Sequence, residues 1–345
     1  LAPSEMCIRD RESLSRYQST NARQNIDSLF SIKYVMLKKY QNNIPTYFKK
    51  VKSSGQYNIY ENQLNLPSVK VTNNLYSSQS LKTPIDREHA MLRGAIVDSN
   101  DKDFNSKSRN LLKHAKITTK NIKSSSNNRL EVKNNIGTIN IYVPKNIRKQ
   151  FRDFYLTLYI KRGTPDSNYT VNINNYFNNR LYNNSVYKTG INTQLYRTQP
   201  DKNGNISIKL SPNGGFKFKL LNLNGENYKT LKTAHHNVNF NMNYKDIKNG
   251  VKVNLANHSK GLATINIPYR AGMRAYIDGR QVNVHKVNYM MTGIPVNKND
   301  HTIIIKYQPP YWKTMIFISF ITIIISMIYI RYTNSIKRKM RIHRD

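Results

Sequence analysis

Cysteine is almost missing from this chain: Cys7 is the only one in 345 residues. A disulfide framework is thereby excluded, and any domain the chain folds must stand on its core. Acidic residues are scarce, 19 against 55 Lys and Arg, which leaves few carboxylates for acid–base chemistry and a formal net charge of +36. Catalytic motifs are absent too. There is no P-loop, no Gly-x-Ser-x-Gly, no His-Glu-x-x-His and no EF-hand loop. A zinc-finger, helix-turn-helix or RNA-recognition signature is also lacking. Lys and Arg are scattered along the chain instead of forming a stripe, so no specific nucleic-acid partner is expected. The surplus of Lys, Asn, Ile and Tyr together is what an AT-rich genome would produce.

Long hydrophobic runs are lacking until the C-terminus. There, Thr314–Ile330 carries no charge and is rich in Ile, Phe and Met. At ~1.5 Å per residue it is about 25 Å long as a helix. The ~30 Å hydrocarbon core is slightly thicker, but Lys313 and Arg331 can snorkel and Tyr311, Trp312, Tyr329 and Tyr332 suit the interface. Backbone in lipid must satisfy its own hydrogen bonds, so the segment is expected to be a helix crossing the bilayer over 313–332. A buried helix of a soluble protein is the alternative. The near-terminal position, the one-sided basic flank and the lack of a polar face argue against it, and a signal peptide would sit at the other end. Lys337, Arg338, Lys339, Arg341 and Arg344 follow, so the positive-inside rule places the tail, 333–345, in the cytoplasm and the preceding ectodomain outside. The lipid bilayer is the expected partner. A basic ectodomain outside it would meet anionic head groups or wall polyanions.

The first residues stand apart. The chain begins with Leu, and Met6-Cys7-Ile8-Arg9-Asp10-Arg11 looks like a translated sequencing adapter, so 1–12 are set aside from the fold as an artefact. Residues 13–110 read as a small α+β portion. Strands are expected at Leu29–Leu37, Tyr57–Tyr60 and Val69–Leu75, and a helix at Asp86–Val97. Residues 98–130 are rich in Ser, Asn, Lys and Asp, and 111–130 are read as a linker or mobile loop. From 131 to 308 the pattern is all-β. Short alternating runs such as Ile206-Ser207-Ile208-Lys209-Leu210 alternate with turn signals such as Lys202-Asn203-Gly204 and Lys248-Asn249-Gly250. Asn237–Met242 is read as one more of these strands. Met273–Ile277 and Gln281–Val287 should form a hairpin about Asp278-Gly279, because Asp-Gly supplies the positive φ of a type I′ turn. The expected class is therefore mainly β: an antiparallel, jelly-roll-like β-sandwich ectodomain, a small α+β N-terminal portion and one C-terminal transmembrane helix.

Four features bear on chemistry. His235-His236, read as a polar strand edge, would point to opposite faces and make poor joint ligands. Glu88-His89 on the expected helix reads as a surface pair. Asp278 is accounted for by its turn. The 24 tyrosines could stack on sugars, but strand propensity and codon bias account for most of them. No catalytic residue, no cofactor-binding residue and no metal ligand is assigned.

The C-terminal motifs go further. Ile277-Asp278-Gly279-Arg280, then Asn288-Tyr289-Met290-Met291-Thr292-Gly293-Ile294-Pro295-Val296, then His301-Thr302-Ile303-Ile304-Ile305-Lys306-Tyr307-Gln308-Pro309-Pro310 resemble, in that order, the end of the YfhO family. Upstream, Phe30-Ser31-Ile32-Lys33-Tyr34-Val35 and Ile59-Tyr60-Glu61-Asn62 through Leu66-Pro67 resemble its "G-V-K-Y" and "Y-E-N-x-x-x-L-P" segments. The resemblance spans about 27–333. Asn299-Asp300 departs from the family's Gly-Lys, and Met273-Arg274 from its aromatic position. The resemblance implies a large multi-pass bacterial membrane protein of the GT-C class, using a polyprenyl-phosphate-linked sugar to decorate lipoteichoic acid or another cell-envelope glycopolymer. In that class the catalytic carboxylate lies in an early external loop between membrane helices, so no catalytic residue is carried over here. The chain then reads as the last ectodomain and last membrane helix of such a glycosyltransferase, not catalytic by itself. The alternatives are a membrane-anchored extracellular binding module for anionic wall polymer or carbohydrate, and a sensor or assembly subunit.

Overall fold

Period-two alternation builds most of the molecule. In the computed structural model, residues 20, 22–98, 102–105, 108–125, 128–163, 169–174, 176–180 and 192–342 are described. Residues 1–12, set aside above, lie outside them.

Two β-sandwiches form, not one. In the central sandwich, one five-stranded sheet runs Tyr176–Arg180, Tyr169–Ile173, Asn205–Ser211, Gly137–Tyr142, Lys116–Lys120. The facing sheet runs Thr193–Thr198, Asp153–Arg162, Gly214–Glu226, Arg129–Val132, Ile122–Ser125. The pleat turns Ile206, Ile208 and Leu210 inward, where they meet Leu156, Leu158 and Leu223 of the other sheet. Each such side chain contributes about 1.5–3 kcal/mol by leaving water.

The C-terminal sandwich pairs Asn243–Ile247, Gly250–Asn254, Thr302–Tyr307, Met273–Ile277 and Arg280–Val282 in one sheet. His285–Val287, Met291–Val296, Gly261–Pro268 and Val69–Thr72 form the other. Val253, Ile277, Ile303 and Ile305 pack across onto Val69, Ile265 and Ile294. The strand from residue 69 ties the N-terminal part of the chain into this sandwich, a long-range pairing that no local pattern displays.

A helical hub lies beside both. Gln24–Leu29, Pro84–Arg93 and Lys229–Asn237 bury Leu29, Met91, Leu92, Tyr228 and Leu231 together. Thr83 and Asp86 close a capping box at the start of the middle helix, with Pro84 in its first turn. Tyr34–Lys38, Tyr57–Asn62 and Phe48–Ser54 make a small three-stranded sheet whose side chains are largely exposed.

Several expectations are corrected. Leu29 ends a helix instead of opening a strand; Ser31 takes φ +59° and turns the chain before the strand at Tyr34. Residues 111–130, read as a linker, supply a short 3-10 turn and the strands Lys116–Lys120 and Ile122–Ser125. Both are edge strands, where polar side chains are tolerated and alternation fades. His235 and His236 belong to the hub helix, so Asn237 closes a helix and Asn237–Met242 is not a strand. The hairpin about Asp278-Gly279 forms, with φ of +47° and +88°, but its second arm ends at Val282. His285–Val287 then crosses to the other sheet, pairing with Met291–Gly293.

Trp312–Ile342 is one helix, and within it Trp312–Ile336 is long and apolar enough to cross a membrane. Its Ser319, Thr322 and Ser326 hydroxyls donate back to the carbonyls of Met315, Ile318 and Thr322 at 2.8–2.9 Å, so these polar groups need no lipid partner.

Candidate functional site

Among the described residues, most of the buried charge gathers at the junction of the hub, the N-terminal segment and the central sandwich. Glu88 projects from the middle helix into the core. It accepts from Arg23 Nη1 at 2.6 Å, from Asn25 Nδ2 at 3.1 Å and from the Tyr155 hydroxyl at 3.0 Å. Glu226, at the end of the long sandwich strand, contacts His89 Nε2 at 2.7 Å and accepts from Asn25 Nδ2 at 2.9 Å and the Tyr228 amide at 2.6 Å. Asp153 pairs with Arg197 Nη2 at 2.9 Å and accepts from Gln199 Nε2 at 2.8 Å and from the hydroxyls of Tyr228 and Thr46. Arg197 in turn donates to the Ile44 carbonyl at 3.0 Å.

The electrostatics follow from burial. Loss of solvent raises the Glu88 pKa, with Arg23 opposing and Glu226 adding to the rise. Burial lowers the His89 pKa, but the Glu226 hydrogen bond and the charges of Glu226 and Glu88 outweigh it, so it lies above the ordinary value. Burial also lifts Asp27, on the first helix, to about 6. Each of Glu88, Glu226 and Asp153 is filled with donors and sealed from water. The cluster therefore holds segments in register and leaves no open carboxylate for a substrate. Among the described residues no group of three or more His, Cys, Asp or Glu could hold a metal ion.

The outer side of this junction opens into a cleft of about 270 Å³ between the Asn42–Thr46 segment and the ends of two sandwich strands. Asn43, Thr46, Asn174, Arg197 and Gln199 line it with Ile44 and Phe48. It offers amides, hydroxyls and a guanidinium that Asp153 already neutralises.

The sequence candidates scatter. Glu88 and His89 are not a surface pair: Glu88 is 1% exposed and both enter the network. His235 Nδ1 lies 2.8 Å from the Asn65 carbonyl and His236 Nδ1 lies 3.0 Å from the side chain of Asn237, so the two do not act together. Asp278 keeps its turn and adds a role, its two oxygens accepting from the His301 and Thr302 amides at 3.0 Å. Arg197, Asp153 and Glu226 were not singled out in sequence. The available signal was that Glu88 shares a helix face with Met91 and Leu92, three and four residues on, where a solvated carboxylate does not belong.

Comparison with known proteins matches residues 5–319 to the family described as bacterial membrane protein YfhO. A Bacillus subtilis (strain 168) protein described as uncharacterized protein YfhO is 34% identical over 331 residues, 93% of this chain and 38% of that relative. This chain thus spans well under half of that relative's length. Among solved structures, the mycobacterial arabinofuranosyltransferase AftD overlaps 47% of this chain and 13% of its own at 8% identity and TM-score 0.18. A Paenibacillus sp. cycloisomaltooligosaccharide glucanotransferase overlaps 63% of this chain and 48% of its own at 10% identity and TM-score 0.22. Scores this low carry no argument about fold or chemistry. The sequence matches do: this chain belongs to the YfhO family of bacterial membrane proteins.

Proposed function

We propose that the chain is the extracytoplasmic, acceptor-handling part of a polyprenyl-phosphate-sugar-dependent glycosyltransferase that decorates lipoteichoic acid or a similar envelope glycopolymer. Family membership supports the membrane setting, and the resemblance set out above supplies the reaction class. The observation that carries the acceptor reading is the cleft beside Arg197. Its amides and hydroxyls suit the polyol groups of a sugar or glycerol unit, and its volume of about 270 Å³ admits one such unit. Asp153 neutralises Arg197, so the cleft favours hydroxyls over a bare phosphate. In this reading the two sandwiches lie outside the cell and the tail after Ile336 lies in the cytoplasm.

The test uses the full-length protein in its own bacterium. Deleting the gene should remove a glycosyl substituent from extracted lipoteichoic acid, and the intact gene should restore it. Asn43→Trp, which fills the cleft, should restore less at equal protein level. An envelope whose glycopolymers keep every sugar after deletion would refute the reaction. For topology, on a cysteine-free background of the full-length protein, an impermeant thiol reagent should label Asn203→Cys in whole cells and spare Asn334→Cys. The reverse pattern would overturn the orientation.

A further inference from the structure

The exposed apolar side chains on the strands and turns of the C-terminal sandwich gather at one end. Between residues 243 and 307 the large hydrophobic side chains that remain exposed are Ile247 at 36%, Tyr289 at 42%, Met290 at 48% and Tyr307 at 43%. Strand registers place them together. Gly250, next to the Ile247 tip, pairs with Lys306, and Tyr307 pairs with Met273. The Tyr269 amide donates to the Met290 carbonyl at 2.8 Å, and the Gln308 amide to the Gly272 carbonyl at 3.2 Å. Three loop tips, 247–250, 269–272 and 288–290, thus surround the point where the last strand leaves for the helix.

That point is close to lipid. Four residues, 308–311, separate the end of the last strand at Tyr307 from the start of the helix at Trp312. At ~3.3–3.6 Å per residue they span at most about 14 Å. The opposite end of the sandwich, with Asp278 and Asp300, carries one exposed large apolar side chain among the described residues, Phe240 at 48%, whose ring packs edge-on against His235 at 5.4 Å. The exit end carries Lys248, Arg270, Arg274 and Lys306 against two acids, Asp246 and, beside Tyr289, Asp98. Amphipathic aromatics, a flexible thioether and cations at one edge suit the boundary between head groups and acyl chains.

We infer that these three tips form a second membrane contact: the exit end of the C-terminal sandwich rests in the bilayer interface, with Tyr289 and Met290 inserted, and so fixes the tilt of the ectodomain. The inference rests on the reading that Trp312–Ile336 crosses the bilayer. It specifies an anionic lipid surface as the partner, because the cations and the apolar tips share one face.

The sole tryptophan makes the test direct. The chain is reconstituted into phosphatidylcholine–phosphatidylglycerol vesicles brominated high on the acyl chain. In the unaltered chain, Trp312 emission should be quenched. On a Trp312→Phe background, Met290→Trp and Tyr289→Trp should be quenched comparably. Lys298→Trp, in the turn beyond the far end of the six-residue strand Met291–Val296 and so roughly 20 Å away, should not be. Quenching of Trp312 with none at positions 289 and 290 would overturn the contact while leaving the membrane helix intact. Equal quenching at 298 would also overturn it, since the sandwich would then lie on its side. An unquenched Trp312 would remove the spanning helix and the inference with it.

Discussion

The central sandwich buries charge where it meets the rest of the chain, and the C-terminal sandwich does not. Asp153, Arg197 and Glu226 are at most 7% exposed. The buried polar residues of the C-terminal sandwich are Thr264, Asn288 and Thr292, all uncharged. Lys70 is its nearest equivalent, half-buried, with its amine donating to the carbonyls of Met91 and Gly94 at 2.6 and 2.9 Å. Both sandwiches draw cohesion from apolar strands, so charge is not needed to form such a core. Its location explains its use. The charged side chains grip Arg23, Asn25 and the 44–46 segment, pieces far away in sequence that need a fixed register. A buried ion pair adds little net stability but penalises wrong arrangements heavily. In a protein of net charge +36, scarce carboxylates serve as internal fasteners for cations.

The comparison breaks most sharply at Asp153. Asp153→Ala strands the Arg197 guanidinium and removes the acceptor for Gln199, Tyr228 and Thr46. Removing one member of a buried pair costs about 3–5 kcal/mol. Urea unfolding of the solubilised chain should show that loss. A loss under about 1 kcal/mol would mean that the junction is more hydrated than its geometry indicates.

In the C-terminal sandwich the counterpart is backbone geometry. Gly279 sits at φ +88° with open space where a Cβ would point. Gly279→Val therefore meets no clash with neighbours, only strain of its own backbone, roughly 1–3 kcal/mol. The same unfolding measurement at several pH values should give a constant deficit, since no titrating group is lost. A deficit that varied with pH would show that the strain also displaces the neighbouring Asp278 carboxylate from the His301 and Thr302 amides.

What was legible in sequence divides along the same line. Alternation at Ile206–Leu210, the Asp278-Gly279 turn and the uncharged run before Arg331 are local, and each appears in the fold. The charged junction is not local. Arg23 and Tyr155 lie 65 and 67 residues from Glu88, so nothing near Glu88 announces its partners. The strand Val69–Thr72 is legible as a strand, but its pairing with residues 262–265 is obscure for the same reason. The Lys116–Lys120 edge strand was missed because an edge tolerates polar side chains on both faces.

His89 sharpens the contrast by pH. Its folded-state pKa is raised, so the protonated ring stabilises the native state. That contribution is fully present below the ordinary His value of about 6.5 and fades as pH rises through the higher folded value. His89→Gln keeps an amide donor for Glu226 and loses the charge. Its deficit should be about 1 kcal/mol in mildly acid solution and shrink as the solution becomes alkaline. A deficit that grew with pH would show that the neutral ring, and not the charged one, is what the junction holds.

The smallest effect is expected at Asp278, where the opposite sign applies. The His301 amide holds its carboxyl below the usual range, with Thr302 assisting. Such a group adds stability above the ordinary Asp value of about 3.9 and loses it as pH falls through the lower folded value. Asp278→Asn keeps the turn, because Asn-Gly makes the same one. It also keeps one oxygen, so one of the two amides loses its acceptor. The site is exposed and water competes there, which holds the cost below about 1 kcal/mol. The gap between the unaltered chain and the variant should therefore be small at neutral pH and close in strongly acid solution. A gap that persisted there would assign the cost to the turn itself and not to the carboxylate bridging His301 and Thr302.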